Sequence, residues 1–94
     1  MSDIKAGAGT WTPWHFELSA DATKVFHEVT AHLLGVNYSA LAFATQVVAV
    51  LNYSFLAKAR VVHPGAPERV VVIRAYVPAG GGAAHVTGIQ EVQP

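Results

Sequence analysis

Five histidines, His15, His27, His32, His63 and His85, are the side chains best able to bind a metal or move a proton. A zinc site needs ligands converging from close spacings or neighbouring elements. His27 and His32 are five residues apart, which sets them off a common helical face, and the other three stand alone in separate segments. A histidine beside Asp21 or Glu28 could work as an acid–base pair, but no Ser or Cys stands in a recognisable nucleophilic setting. The chain has no cysteine, which removes thiolate chemistry and disulfides together. The glycine-rich Ala79–Ala84 tract, AGGGAA, lacks the Lys-Ser/Thr ending and strand-to-helix context of a phosphate loop. It reads as a hairpin connection. A ligand-binding domain would need convergent polar groups, and no such cluster is visible along the chain. The expectation is a protein that is not an enzyme, with no metal and no cofactor.

The elements that must position anything functional are few. The chain has 94 residues, enough for one small domain. Hydrophobic residues make up 52% and charged residues only 13%, which points to burial beyond the core of one chain. Net charge is zero and the basic residues are scattered, so nucleic acid is not an expected partner. No apolar run approaches a membrane span, and MSDIKAGAG has no signal-peptide core. The expected location is cytoplasmic.

Residues 1–10 read as a flexible arm and 11–94 as one domain. TWTPWHFEL is aromatic and roughly alternating, and Pro13 limits it to an edge strand or extended lead-in. Trp11 and Trp14 would either cover the sheet edge or helix, or meet a partner surface. Ala22, Val25, Phe26, Val29 and Leu33 recur at helical spacing. Ser19 or Asp21 caps that helix and Gly35 stops it. From Ala40 the period becomes two. Leu41, Phe43, Val47, Ala49, Leu51, Tyr53, Phe55, Ala57, Ala59 and Val61 are all odd-numbered, so one apolar parity runs from Ala40 to Val62. HPGAP breaks the pattern, ERVVVIRAYV is a further strand, and HVTGIQEV is the last. One apolar helix stripe with one apolar sheet face gives an α+β domain.

That order, with Gln46-Val47-Val48-Ala49 followed by Asn52-Tyr53, resembles the cystatin superfamily and its stefin branch. The family's first hairpin loop carries Gln-x-Val-x-Gly. VTGIQ, Val86 to Gln90, is similar to the LTGYQ of stefins, and IRAYVPAGG stands where they run into a second loop containing proline. The resemblance covers residues 9 to 92 and implies a cystatin-like fold of one helix on a four- to five-stranded antiparallel sheet. It further implies reversible inhibition of papain-like cysteine proteases by filling the cleft. The arm at Ala6 to Gly9, the first loop at Gln46 to Val50 and the second at Pro78 to Ala83 would form the wedge. Gly9, Gln46, Val47, Val48, Ala49, Val50, Pro78 and Ala79 are the expected protease contacts.

Val50 departs from the family pattern, where the loop has glycine. Glycine supplies positive φ cheaply and valine does not; strain at such a position is about 1–3 kcal/mol. An extended Val50 carries no such cost. One continuous strand from Ala40 to Val62 would run roughly 75 Å at about 3.3 Å per residue, too long for one small domain. The expectation is therefore a domain-swapped homodimer, hinged at Ala49, Val50 and Leu51 within Gln46–Leu51. The alternative function is a non-inhibitory dimeric scaffold, natural or engineered, whose first loop is straightened into strand.

Overall fold

The computed structural model describes residues 9–94. Helix α1 spans Ala20–Thr30, followed by strands β1 (Val36–Val47), β2 (Leu51–Val61), β3 (Glu68–Val77) and β4 (His85–Glu91). The strands form one antiparallel sheet in chain order, β1-β2-β3-β4. One helix on one antiparallel sheet is the α+β class expected from the pattern of periods, and four strands is the lower of the four to five that the family resemblance implies.

Helix α1 begins where Ser19, in extended backbone, accepts the Ala22 N–H on its side-chain oxygen at 3.1 Å. Of the two possible caps it is Ser19 that acts, and Asp21 adds negative charge to the first turn. Ala22, Val25, Phe26 and Val29 are buried as the stripe requires. The helix stops at Thr30, short of Gly35. The Thr30 hydroxyl donates back to Phe26 O at 2.8 Å, and Leu33 N–H bonds Thr30 O in a tightened last turn. Such back-bonding competes with the helical ladder, so Leu33 falls outside the stripe. Gly35, at φ 83°, instead turns the chain into β1.

The helix packs on one face of the sheet against Tyr53, Phe55, Ala57, Ala59, Val71, Ile73 and Ala75. Phe55 has no exposed surface and meets Phe26 edge-on at 5.2 Å and Tyr53 in a stack at 5.4 Å. Deleting a buried ring of this kind costs about 3–5 kcal/mol in well-packed cores. Alanines at 57, 59 and 75 leave room for the helix to approach. The ion pairs Lys58–Glu68 (3.9 Å) and Arg69–Glu91 (3.6 Å) are half-exposed and add little beside that core.

Two details of β1 and β2 correct the expected pattern. First, the register shifts between Ala40 and Ala42. Before the bulge, Val36, Tyr38 and Ala40 pack toward the helix; after it, Phe43 does. The inward parity of β1 therefore changes from even to odd, and Leu41 lies in the irregularity, 40% exposed. Second, within this chain the segment from Ala40 to Val62 is two strands. Val47 pairs directly with Leu51, leaving Val48, Ala49 and Val50 as the turn. Residues paired opposite each other across a hairpin lie on the same face. A loop with an odd number of residues thus joins odd-numbered positions to odd-numbered positions. Unbroken parity is what a three-residue turn produces, as well as what a straight strand would. Nor does the turn demand a strained valine: among the described residues, only glycines have positive φ. Val50 turns without entering the region where its branched side chain would be penalised.

Candidate functional site

The segment before the helix lies along the outer edge of β1. His15 and Phe43 exchange backbone hydrogen bonds at 2.8 and 2.9 Å, Thr12 N–H donates to Thr45 O at 2.9 Å, and Gly9 N–H donates to Val47 O at 3.0 Å. Thr45 N–H in turn donates to the Thr12 hydroxyl at 3.1 Å. Pro13, which has no N–H, sits between the bridges Trp11–Gln46 and His15–Phe43, so the segment is an interrupted extended lead-in. Of the arm expected to reach a protease, Ala6, Gly7 and Ala8 lie outside the described residues, and Gly9 is its first described member.

Gln46 ties this segment to the first hairpin. Its Nε2 donates to Gly9 O at 2.8 Å, and its Oε1 accepts from Asn52 Nδ2 at 2.8 Å. Asn52 stands directly opposite Gln46 in the β1–β2 register. The amide side chain is thus held at both ends, with one end on the arm and the other on β2. Gly9 has φ 84°, and a Cβ added there would lie 3.9 Å from a methyl of Val48. Its glycine is required by backbone conformation and not by lack of space.

The turn itself is closed by Val48 N–H donating to Val50 O at 3.0 Å. It presents Val47 and Val48 to solvent, 61% and 46% exposed. Large apolar side chains at a hairpin tip gain nothing from the chain's own core.

The second loop leaves the same end of the sheet. Leu51 pairs with Val47 on one side and with Val77 on the other, so Pro78 follows the last paired residue of β3. The turn closes with Gly81 N–H on Pro78 O at 3.1 Å, and Gly80, Gly81 and Gly82 all have positive φ. The loop returns over the helix, where Ala84 N–H donates to a Glu28 carboxylate oxygen at 3.2 Å.

Gly9, Val47, Leu51 and Val77 therefore mark one row across four adjacent backbone segments. At about 4.8 Å per neighbour the row is roughly 15 Å wide. The structure brings Gly9, Gln46, Val47, Val48, Ala49, Val50, Pro78 and Ala79 to one end of the domain. That end offers apolar side chains, backbone groups and one locked amide. The Gln46–Asn52 tie was readable once a three-residue turn was assumed, because a hairpin centred on Ala49 sets those two residues opposite each other.

The histidines are dispersed. His15 lies against Phe43 with ring centroids 5.4 Å apart, His85 stacks on Tyr76 at 5.1 Å, and His63 Nδ1 sits 3.0 Å from Pro64 O. Among the described residues no three His, Asp or Glu side chains are grouped to hold a metal ion, and no helix is long and apolar enough to cross a membrane. Burial, and secondarily the negative charge of Asp21, raises the Tyr53 hydroxyl above its ordinary pKa of 10.0.

On the sheet face opposite the helix lies a feature that periodicity did not reveal. Trp11, Thr12, Trp14, Ala44, Ser54 and Arg74 line an open recess of about 270 Å³. Ala44, Ser54 and Arg74 are successive register partners across β1, β2 and β3.

No protein-family model, curated protein or solved structure matches this chain.

Proposed function

We propose that this protein is a stefin-like, reversible inhibitor of papain-like cysteine proteases, acting by occlusion and without chemistry of its own. The observation that carries this reading is the gathering of Gly9, the Val48–Val50 turn and the Pro78–Gly81 turn at one end of the sheet. A row roughly 15 Å wide, estimated from strand spacing, is a shape for entering a cleft. Exposed Val47 and Val48 supply apolar surface to bury there. Gln46 holds arm and hairpin together through bonds to Gly9 and Asn52, which lowers the ordering cost of binding. The resemblance of Gln46–Ala49 and Val86–Gln90 to stefin motifs supports the same reading.

The test is inhibition of papain by the monomeric fraction of the protein. The reading requires reversible loss of activity that excess peptide substrate relieves, with the inhibitor recovered uncut. Full papain activity in the presence of about 100 μM protein would reject it; affinity weaker than that is far below the nanomolar range usual for specific interfaces of standard size.

A second reading has its own support. Val48, Ala49 and Val50 carry no positive φ, so none of the three needs a turn-specific backbone and all suit extension. Straightened, they would pass the arm, α1 and β1 to a second chain, each chain rebuilding the same sheet with its partner. Such a dimer, swapped through Gln46–Leu51, would lack the first loop and would not inhibit. Light scattering after size separation distinguishes the two: the mass of one chain supports the inhibitor, and twice that mass with no inhibition supports the scaffold.

A further inference from the structure

We propose that the recess on the outer sheet face is a binding site for a small aromatic carboxylate, its ring lying against the indoles of Trp11 and Trp14 and its carboxylate on Arg74. The floor is Ala44, which is 5% exposed, beside Ser54, which is 3% exposed. Arg74 Nη1 donates to the buried Ser54 oxygen at 3.0 Å. That bond fixes one arm of the guanidinium and leaves its remaining N–H groups available, in the planar fork that suits a carboxylate. Among the described residues, the carboxylates in ion pairs belong to Lys58 and Arg69, not to Arg74. The charge of the recess is therefore a single positive one, which selects an anion.

Both walls are aromatic. Trp11 and Trp14 are 37% and 41% exposed, and neither stacks on another ring among the described residues. Two partly exposed indoles lining a recess beside a guanidinium favour a flat, π-rich ligand over a compact inorganic anion. The walls are held in place by the edge bonds of their own segment: Trp11 bridges Gln46, and Thr12 exchanges bonds with Thr45. A volume of about 270 Å³ lies near the lower bound for small-molecule sites and suits a single ring with one acidic substituent. The site is separate from the wedge row, since it uses the sheet face and not the sheet end.

Trp11 and Trp14 are the only tryptophans in the chain, so their two indole N–H signals report on the recess directly. The experiment titrates the full-length protein with benzoate, benzyl alcohol and acetate and follows those signals by nitrogen–proton correlation spectra. Benzoate is expected to shift both indole signals and to saturate in the millimolar range or below. Benzyl alcohol (ring without charge) and acetate (charge without ring) are each expected to bind at least about tenfold more weakly. Arg74→Gln and Trp14→Ala are expected to lose benzoate binding by a similar factor while keeping the dispersed spectrum of the folded protein. Equal binding of benzyl alcohol and benzoate, or no indole shift at about 20 mM benzoate, would overturn the proposal. The three-ligand comparison on the unaltered protein stands even if either variant fails to fold.

Discussion

Replacing Gln46 by alanine should release the N-terminal segment from the hairpin without unfolding the domain. The substitution removes two side-chain hydrogen bonds, Nε2 to Gly9 O and Oε1 from Asn52 Nδ2, both 2.8 Å long. A protein hydrogen bond contributes about 0.5–1.5 kcal/mol net. Only the Gly9 bond breaks when the segment lifts away, since the Asn52 bond lies between β1 and β2. The Gly9 bond is exposed, so water can replace Gln46 there, and the lower half of the range applies, about 0.5–1 kcal/mol. At 1.36 kcal/mol per tenfold, local opening at Gly9 should rise by roughly 2- to 5-fold. Amide hydrogen exchange reads this directly, because Gly9 N–H is protected by Val47 O and Thr12 N–H by Thr45 O. Both amides should exchange faster in Gln46→Ala, with core amides of β2 and β3 changed much less. Asn52→Ala, which removes one bond, should give the smaller acceleration. No measurable acceleration of exchange at either Gly9 or Thr12 would refute the assignment of Gln46 as the tie between arm and hairpin.

Val50→Gly should increase the monomer fraction at a given concentration, because a β-branched valine suits the extended hinge of a swapped dimer and glycine does not; an unchanged or larger dimer fraction by light scattering would count against the hinge reading. The Tyr53 hydroxyl, raised above 10.0 by burial and by Asp21, should make the fold sensitive to alkali. Its folded pKa lies above the unfolded value, so its contribution is fully present below about pH 10 and is lost as pH rises past that value toward the folded pKa. Urea midpoints at about pH 9 and pH 11 should therefore fall less in Tyr53→Phe than in the unaltered protein, and an equal fall would place the sensitivity elsewhere.

The parts of the fold carried by periodicity were legible in the sequence. Ala22, Val25, Phe26 and Val29 face the core because a helix returns to one side every three to four residues. Val71, Ile73 and Ala75 are buried on β3 because a strand alternates. What was not legible depends on where the periods are interrupted. The Ala40/Ala42 bulge exchanges inward parity within β1, and alanines on both sides of it give no hydrophobic contrast to mark the change. The turn at Val48–Val50 is hidden for a different reason: an odd loop preserves parity, and its residues are β-branched or small with no glycine or proline to announce it. The helix end was not legible because Thr30 closes the last turn with its own hydroxyl, while Gly35 offers the stronger stop signal. The candidate site was legible as separate segments. Their convergence followed only from register, which set Val47, Leu51 and Val77 in one row. The outer recess was not legible because its residues come from three strands and the lead-in, with no common spacing.

The measurement that most directly tests the central claim is a hydrogen-exchange footprint of the monomer with papain whose catalytic cysteine has been blocked by a small reagent. The account predicts added protection at Gly9, across Val47–Leu51 and at Ala79–Gly82, with the exposed face of α1 and strand β4 unchanged. Protection absent from those three segments, or centred on the outer sheet face, would contradict it.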